Sequence, residues 1–363
     1  MKLKVLGLLF AIIFIAGCKE GDAVLPDEKN MPKAKETLRA EAFIQKNLLE
    51  EDGRMRTNIT NRQDEYLSET VGLWMDYLIA KNDWAGFDEQ VKMMETYFLT
   101  KERLVVWELK GNEKAPANAF IDDLRIVNAL YTAGEQWNYP TYTKLADKMS
   151  KSLVRYQTSE DLMVDYINLE NKDQGTDITI SYIIPQGFDR MKQHGHLPVK
   201  TYAATKRVLL EAPYSTADLF PKTYHISTGE YSYDQEVNMI DQFYVGYHRA
   251  QWNADVSRLL NFAKDAFEAE NGKLFGRYNS ETKEPTVTYE SVAVYALAIM
   301  MCLEIGDADF AKELYGQMKT LQYVDKDSPY DGGYIDINSK DTHTFDNLLA
   351  LLAERKGLDE KVF

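Results

Sequence analysis

The feature that most constrains this chain is a train of helix-period segments. Apolar residues recur at three- and four-residue spacing over 33–50, 66–82, 85–99, 118–136, 140–156, 178–194, 198–212, 234–250, 254–270, 289–305, 307–320 and 341–355, which predicts about twelve helices. Strand-like alternation is confined to 162–170 and 223–233, so two or three short strands are expected in the loops. Short breaks at 82–85 and at Gly306 read as turns between antiparallel helices. Longer breaks at 51–65, 100–117, 157–177, 213–233, 271–288 and 321–340 follow alternate helices. The fold class is therefore all-α, arranged as hairpins, and no fixed repeat of the tetratricopeptide kind is present. If the short turns close one end of the molecule, the long loops gather at the other, and a loop-built site belongs there.

A chain of 363 residues with 45% hydrophobic residues can bury a large core, and no Pro/Gly/Ser-rich linker divides it; one domain over 34–363 is expected. The first eighteen residues carry Lys2 and Lys4, an apolar run short of a comfortable membrane span, and then Ile15-Ala16-Gly17-Cys18. This order resembles a bacterial lipoprotein signal. The resemblance implies that 1–17 are removed, that Cys18 receives a lipid, and that 18–33 tether the domain to the extracytoplasmic face of a cell membrane. The other cysteine, Cys302, lies in an apolar run and reads as a small buried hydrophobe. A net charge of -15 with no compensating basic cluster argues against nucleic acid as a partner.

Familiar cofactor and metal signatures are missing. The five histidines show no HExxH spacing, and no GxGxxG, Walker loop or GxSxG occurs, so neither metal nor cofactor is expected. The DGGYIDIN stretch at 331–338 lacks the acidic spacing of a calcium loop and reads as a turn-rich rim.

The chemistry centres on Glu69. Over 66–82 Leu67, Val71, Trp74 and Leu78 form the apolar stripe of a helix, while Glu69, Gly72 and Asp76 share another face. A ligand across that face could approach the backbone at Gly72, although a first-turn glutamate is also what a helix dipole favours. The stretches around it are DGRMRTN at 52–58, SETVGLWMDYLIAKND at 68–83, FDEQ at 87–90 and VVW at 105–107. Their order resembles glycoside hydrolase family 8, the bacterial cellulase and chitosanase family, with Thr70 and Val71 standing where its SEG-type motif has Gly and Gln. A second matching stretch is NAFIDDLRIVNALYTAGEQW at 118–137.

The resemblance implies an (α/α)6 barrel and hydrolysis of a β-1,4-linked polysaccharide, such as an exopolysaccharide, by an inverting acid/base mechanism. Glu69 takes the general acid's place. Asp123 matches the carboxylate that holds the sugar at the cleavage point, with the adjacent Asp122 one residue away; Asp122 could pair with Arg125. The family's base lies in a YDA-x-R motif opening a later helix. Its match here is Ser232-Tyr233-Asp234, with Val237 in place of the arginine and Asp241 as a rival base. Asp234 could equally be a helix N-cap. Trp107 and Tyr233 are the candidate substrate-contacting aromatics in loops rich in tyrosine, since C–H faces of sugar rings pack on aromatic rings. Two other readings stay open: a glycan-binding lipoprotein that assists export, favoured by the missing arginine, and another sugar enzyme on the same barrel.

Overall fold

The structure, a computed structural model, describes residues 33–363. Residues 1–32, with the expected signal segment and Cys18, lie outside the described residues. The helices in the first half are α1 (Arg39–Asn47), α2 (Ser68–Lys81), α3 (Trp84–Tyr97), α4 (Phe120–Gln136), α5 (Pro140–Gln157) and α6 (Pro185–Gln193). Those in the second are α7 (Val199–Leu210), α8 (Met239–Gln251), α9 (Ser257–Ala269), α10 (Val292–Ile305), α11 (Ala308–Thr320) and α12 (Thr344–Asp359). Even-numbered helices form a closed inner ring: α2 packs on α4, α4 on α6, α6 on α8, α8 on α10, α10 on α12, and α12 returns to α2. The odd-numbered helices lie outside, α3 against α2, α5 against α4 and α11 against α10. This is the (α/α)6 barrel.

Local chemistry sets the hairpins. Asn82 ends α2 in the left-handed conformation at φ 63°, and Asp83 caps α3 by accepting from the Gly86 N–H at 3.1 Å. Gly306 and Asp307 repeat the device between α10 and α11. Both turns sit at the C-terminal ends of inner helices, so every inner helix begins at the opposite end of the barrel, where the long loops are.

Those loops hold more strand than the alternation predicts. Ten strands, none longer than three residues, occur among the described residues. β1 (Glu65–Leu67) pairs with β2 (Glu108–Lys110) and β2 with β3 (Glu113–Lys114); β4 (Thr158–Ser159) pairs with β5 (Leu162–Met163). β6 (Asp177–Thr179), β7 (Thr223–His225) and β8 (Glu230–Ser232) form one sheet, and β9 (Glu236–Asn238) pairs with β10 (Arg277–Asn279). Loops crowded at one end satisfy their backbone groups by pairing with each other, a cause that period-2 patterning does not register. Across the β6–β8 sheet, His225 links Asp177 (2.8 Å from Nδ1) to Ser232 (3.0 Å from Nε2), a polar tie between strands.

Three helix starts depart from expectation, and in the 33–50 segment α1 begins only at Arg39. The 178–194 segment splits into β6, a single 3-10 turn at Ile180–Tyr182, and α6, because Pro185 holds Ile184 extended and can occupy only a first helical turn. The 234–250 segment begins as β9; α8 starts at Met239, capped by Asn238, whose side chain accepts from the Ile240 N–H at 3.0 Å.

Candidate active site

The inner helices reverse the usual polarity of a core. On α2 the apolar stripe turns away from the barrel axis: Leu78 meets α3 at Gly86, and Trp74 stacks on Tyr77. The face carrying Glu69, Gly72 and Asp76 turns toward the axis, where Arg125 of α4 lies. Gly72 is required there, since an added Cβ would meet the Arg125 Cδ at 3.0 Å and Cγ at 3.1 Å. The close approach expected at Gly72 is therefore made by the chain's own arginine.

Four carboxylates occupy the second or third position of four inner helices: Glu69 on α2, Asp122 on α4, Asp241 on α8 and Asp346 on α12. Inner helices that all begin at one end bring these first turns together at the barrel mouth. Glu69 is partly open to this space, and its carboxyl is pushed up to about 8 by burial first, then by the negative Asp122, with Arg125 opposing and Asp346 adding to the rise. Asp122 is buried and fixed from two sides, accepting from Ser68 Oγ at 2.7 Å and pairing with Arg125 at 3.3 Å. Burial raises it as well, while Arg125 and Ser68 pull it down. Asp241 accepts from Ser181 Oγ at 3.0 Å and lies 4.0 Å from Lys222 Nζ; burial dominates its upward shift, with Ser181 and Lys222 opposing. Tyr182, one residue beyond Ser181, feels the charges of Asp122, Asp165, Glu69 and Asp241, which places its ring among them.

The sequence-predicted residues separate clearly. Asp123 is fully buried and turned away from the mouth: its oxygens accept from the Val105 N–H at 2.9 Å and from Asn118 Nδ2 at 2.7 Å. It anchors the 105–107 loop, and its neighbour Asp122, about 100° further round the helix, takes the place at the axis. Asp234 does not open a helix. It is half exposed between β8 and β9, paired with Lys222 at 3.3 Å, and the acid in the first turn of α8 is Asp241. Tyr233 is exposed and donates to the Pro213 carbonyl at 2.9 Å.

Trp107 stands beside the acid. Its carbonyl accepts from the Ser68 N–H at 3.0 Å, directly before Glu69, and its ring is 39% exposed. A tryptophan left that open near the half-buried Glu69 has the form of a platform for an apolar face. Sequence reasoning missed Asp346, Tyr182 and Asp165. One signal could have found Asp346: a carboxylate in the first turn of alternate helices, the pattern it shares with Glu69, Asp122 and Asp241. Among the described residues no group of three or more His, Cys, Asp or Glu is placed to hold a metal ion.

No family model matches the chain. The Bacillus subtilis (strain 168) protein YdaJ, described as a candidate lipoprotein, is 36% identical over 349 residues, covering 96% of this chain and 94% of YdaJ. A solved structure described as a novel alpha-amylase from Clostridium perfringens is 27% identical, with TM-score 0.82 and coverage of 88% of this chain and 96% of that one. PssZ from Listeria monocytogenes is 26% identical, with TM-score 0.72 and coverage of 89% and 98%. An endoglucanase of Klebsiella pneumoniae described as a family 8 glycosyl hydrolase shares the fold at 16% identity and TM-score 0.62, with coverage of 87% and 99%.

Proposed function

We propose that this chain, related to YdaJ by sequence and sharing its fold with an endoglucanase described as a family 8 glycosyl hydrolase, is a glycoside hydrolase of that family and hydrolyses glycosidic bonds in a polysaccharide. The observation carrying this reading is the set of carboxylates in the first turns of the inner helices, with the raised Glu69 among them. A carboxyl that titrates at about 8 keeps its proton at neutral pH and can deliver it to the leaving oxygen. Asp241, held by Ser181, is the base: it takes a proton from water as the water oxygen attacks the anomeric carbon, and the configuration inverts. Asp122, fixed by Ser68 and Arg125, holds hydroxyls of the ring at the scissile bond, and Trp107 stacks on a neighbouring ring.

The family resemblance favours a β-1,4 linkage, as in an exopolysaccharide. The amylase neighbour favours a second reading, an α-1,4-linked glucan. Lipidation at Cys18 would hold the enzyme on the extracytoplasmic side of the membrane, a reading supported by the description of YdaJ and by the Ile15-Ala16-Gly17-Cys18 sequence. No helix among the described residues is long and apolar enough to cross a membrane. The test is incubation of the protein with bacterial exopolysaccharides, chitosan, cello-oligosaccharides and malto-oligosaccharides, reading new reducing ends. Release from one class assigns the linkage. Binding without release from any of them replaces the hydrolase with a glycan-binding protein.

A further inference from the structure

Aromatic side chains that stay open to solvent are confined to one end of this molecule. Trp107, Tyr166, Tyr233 and Tyr289 are the exposed aromatic residues among the described ones, and all four lie in the segments that lead into inner helices, at the barrel mouth. Open rings gathered around a single opening mark contact with a ligand. Tyr289 is the most open of the four, at 53%, and plays no part in the acid/base chemistry.

The backbone aims Tyr289 at the mouth. It begins a short extended stretch, 289–291, that runs into α10. Glu290 bridges Phe275 and turns outward, where its carboxylate accepts from Tyr295 Oη at 2.5 Å and from Gln317 Nε2 of the outer helix α11 at 2.8 Å. Side chains alternate along an extended backbone, so Tyr289 and Ser291 face the other way. Ser291 shows where that is: its hydroxyl donates to Asp346, one of the four mouth carboxylates, at 3.4 Å. The Tyr289 ring rests on Gly276, at which an added Cβ would meet the ring's Cε2 at 2.5 Å and Cζ at 3.1 Å. One side of the ring is thus held on bare backbone and the other is left open. The Gly276 carbonyl accepts from the N–H of Met239, the first residue of α8, at 3.1 Å, which sets the ring two residues from Asp241. The next residue, Arg277, donates to the Tyr289 hydroxyl and to Glu236, and its charge is among those that act on Asp241.

Ring order decides which wall this is. In the closed order α2, α4, α6, α8, α10, α12, helix α2 faces α8 across the axis, so Glu69 and Asp241 face each other. A glycan held between them runs across the line that joins them. Trp107 is tied to the start of α2 through Ser68 and lies toward α4, the helix its loop enters. Tyr289 is tied to the start of α8 through Gly276 and lies toward α10, the helix it leads into. Since α4 and α10 are also opposite each other, the two rings stand on opposite walls and on opposite sides of the line from acid to base.

We propose that Tyr289 is a sugar-binding residue, the platform of a subsite across the scissile bond from Trp107, so that the groove grips a linear glycan by one ring on each side of the bond to be cut. This deepens the hydrolase reading and rests on Glu69 and Asp241 as its acid and base.

The test is isothermal titration of cellohexaose, chitosan hexamer and maltohexaose into the full chain carrying Glu69→Gln, which binds without cutting. On that background Tyr289→Ala should weaken the hexasaccharide that binds by about fivefold to tenfold, the loss of one ring contact, and Tyr289→Phe, which keeps the ring, should bind as the parent does. Because the two rings hold different sugars, the losses in Trp107→Ala and Tyr289→Ala should multiply in the double variant. Tyr289→Leu takes the place of the alanine variant if that one fails to fold. Unchanged affinity in Tyr289→Ala, a loss as large in Tyr289→Phe, a double variant no weaker than either single one, or no binding of any of the three hexasaccharides would each overturn the proposal. If a hexasaccharide binds in a manner that depends on the Tyr289 ring while the wild type releases no new reducing ends from it, the hydrolase reading falls and the platform stands.

Discussion

Replacing Glu69 by Gln separates the acid's chemistry from its cost to the fold. The amide keeps the shape of the side chain and loses only the transferable proton. In the unfolded chain the carboxyl titrates near 4.5 and in the folded one at about 8. Below 4.5 both states are protonated and the group costs nothing. As pH rises, the unfolded chain releases the proton while the folded chain retains it, so stability falls, and the loss is complete once pH passes about 8. Integrating between these values gives a cost of about 3 kcal/mol at pH 7 and about 1 kcal/mol at pH 5. Because the carboxyl opens partly to the cleft, about half of this is expected, roughly 1 to 2 kcal/mol at pH 7. Glu69→Gln should therefore raise the thermal midpoint by roughly 1 to 3 °C at pH 7 and by much less at pH 5. Turnover should fall by about 10²- to 10⁴-fold, the usual contribution of a general acid, with oligosaccharide binding kept. The assay is calorimetry of both proteins from pH 5 to 8 beside reducing-end release. A variant less stable than wild type at pH 7, or a difference that does not grow with pH, would refute the burial argument; retained turnover would refute the role.

Asp241→Asn should abolish turnover while Asp234→Asn leaves it within a few fold, and the reverse ranking in the same assay would return the base to Asp234. Trp107→Ala should weaken oligosaccharide binding by about 1 to 3 kcal/mol, on the scale of one large apolar contact, with little change in thermal midpoint; a large stability loss with unchanged affinity would make the ring a core element. Gly72→Ala should cost about 1 to 3 kcal/mol, because its methyl meets the Arg125 stem; unchanged stability and an unchanged pH profile would show that Arg125 yields at no cost. Cys18→Ala should move the protein out of the membrane fraction, and persistent lipid labelling of that variant would rule out the lipobox.

Much of the fold is legible along the chain. Segments with helical period keep their type because the signal is local: Asn82-Asp83 and Gly306-Asp307 end and restart helices with their own backbone and side chains. Where a segment was misread, the cause was either a proline inside it, Pro185 in 178–194, or a nonlocal partner. The start of the 234–250 segment became a strand because 277–279 lies beside it, and β1 with β2 and β6 with β7 likewise pair across distances that no window of sequence spans.

The candidate site divides in the same way. Glu69 and Trp107 could be singled out from the sequence because each lies in a stretch with its own motif, and the structure sets them side by side through the Ser68 and Trp107 backbones. The choices between Asp122 and Asp123, and between Asp234 and Asp241, were not decidable there. Adjacent residues on a helix point about 100° apart, and which direction is the axis depends on where the neighbouring helices lie. Asp123 turned toward Val105 and Asn118, Asp122 toward Ser68 and Arg125, and the two have the same composition, spacing and local propensity. Asp346, far along the chain from Glu69, acts on it only because the ring closes through α12 and α2. The sequence by itself determined the helices and their order and singled out Glu69 as a candidate; the closing of the ring decided which carboxylates meet, since proximity and burial are properties of the assembled barrel and not of any stretch within it.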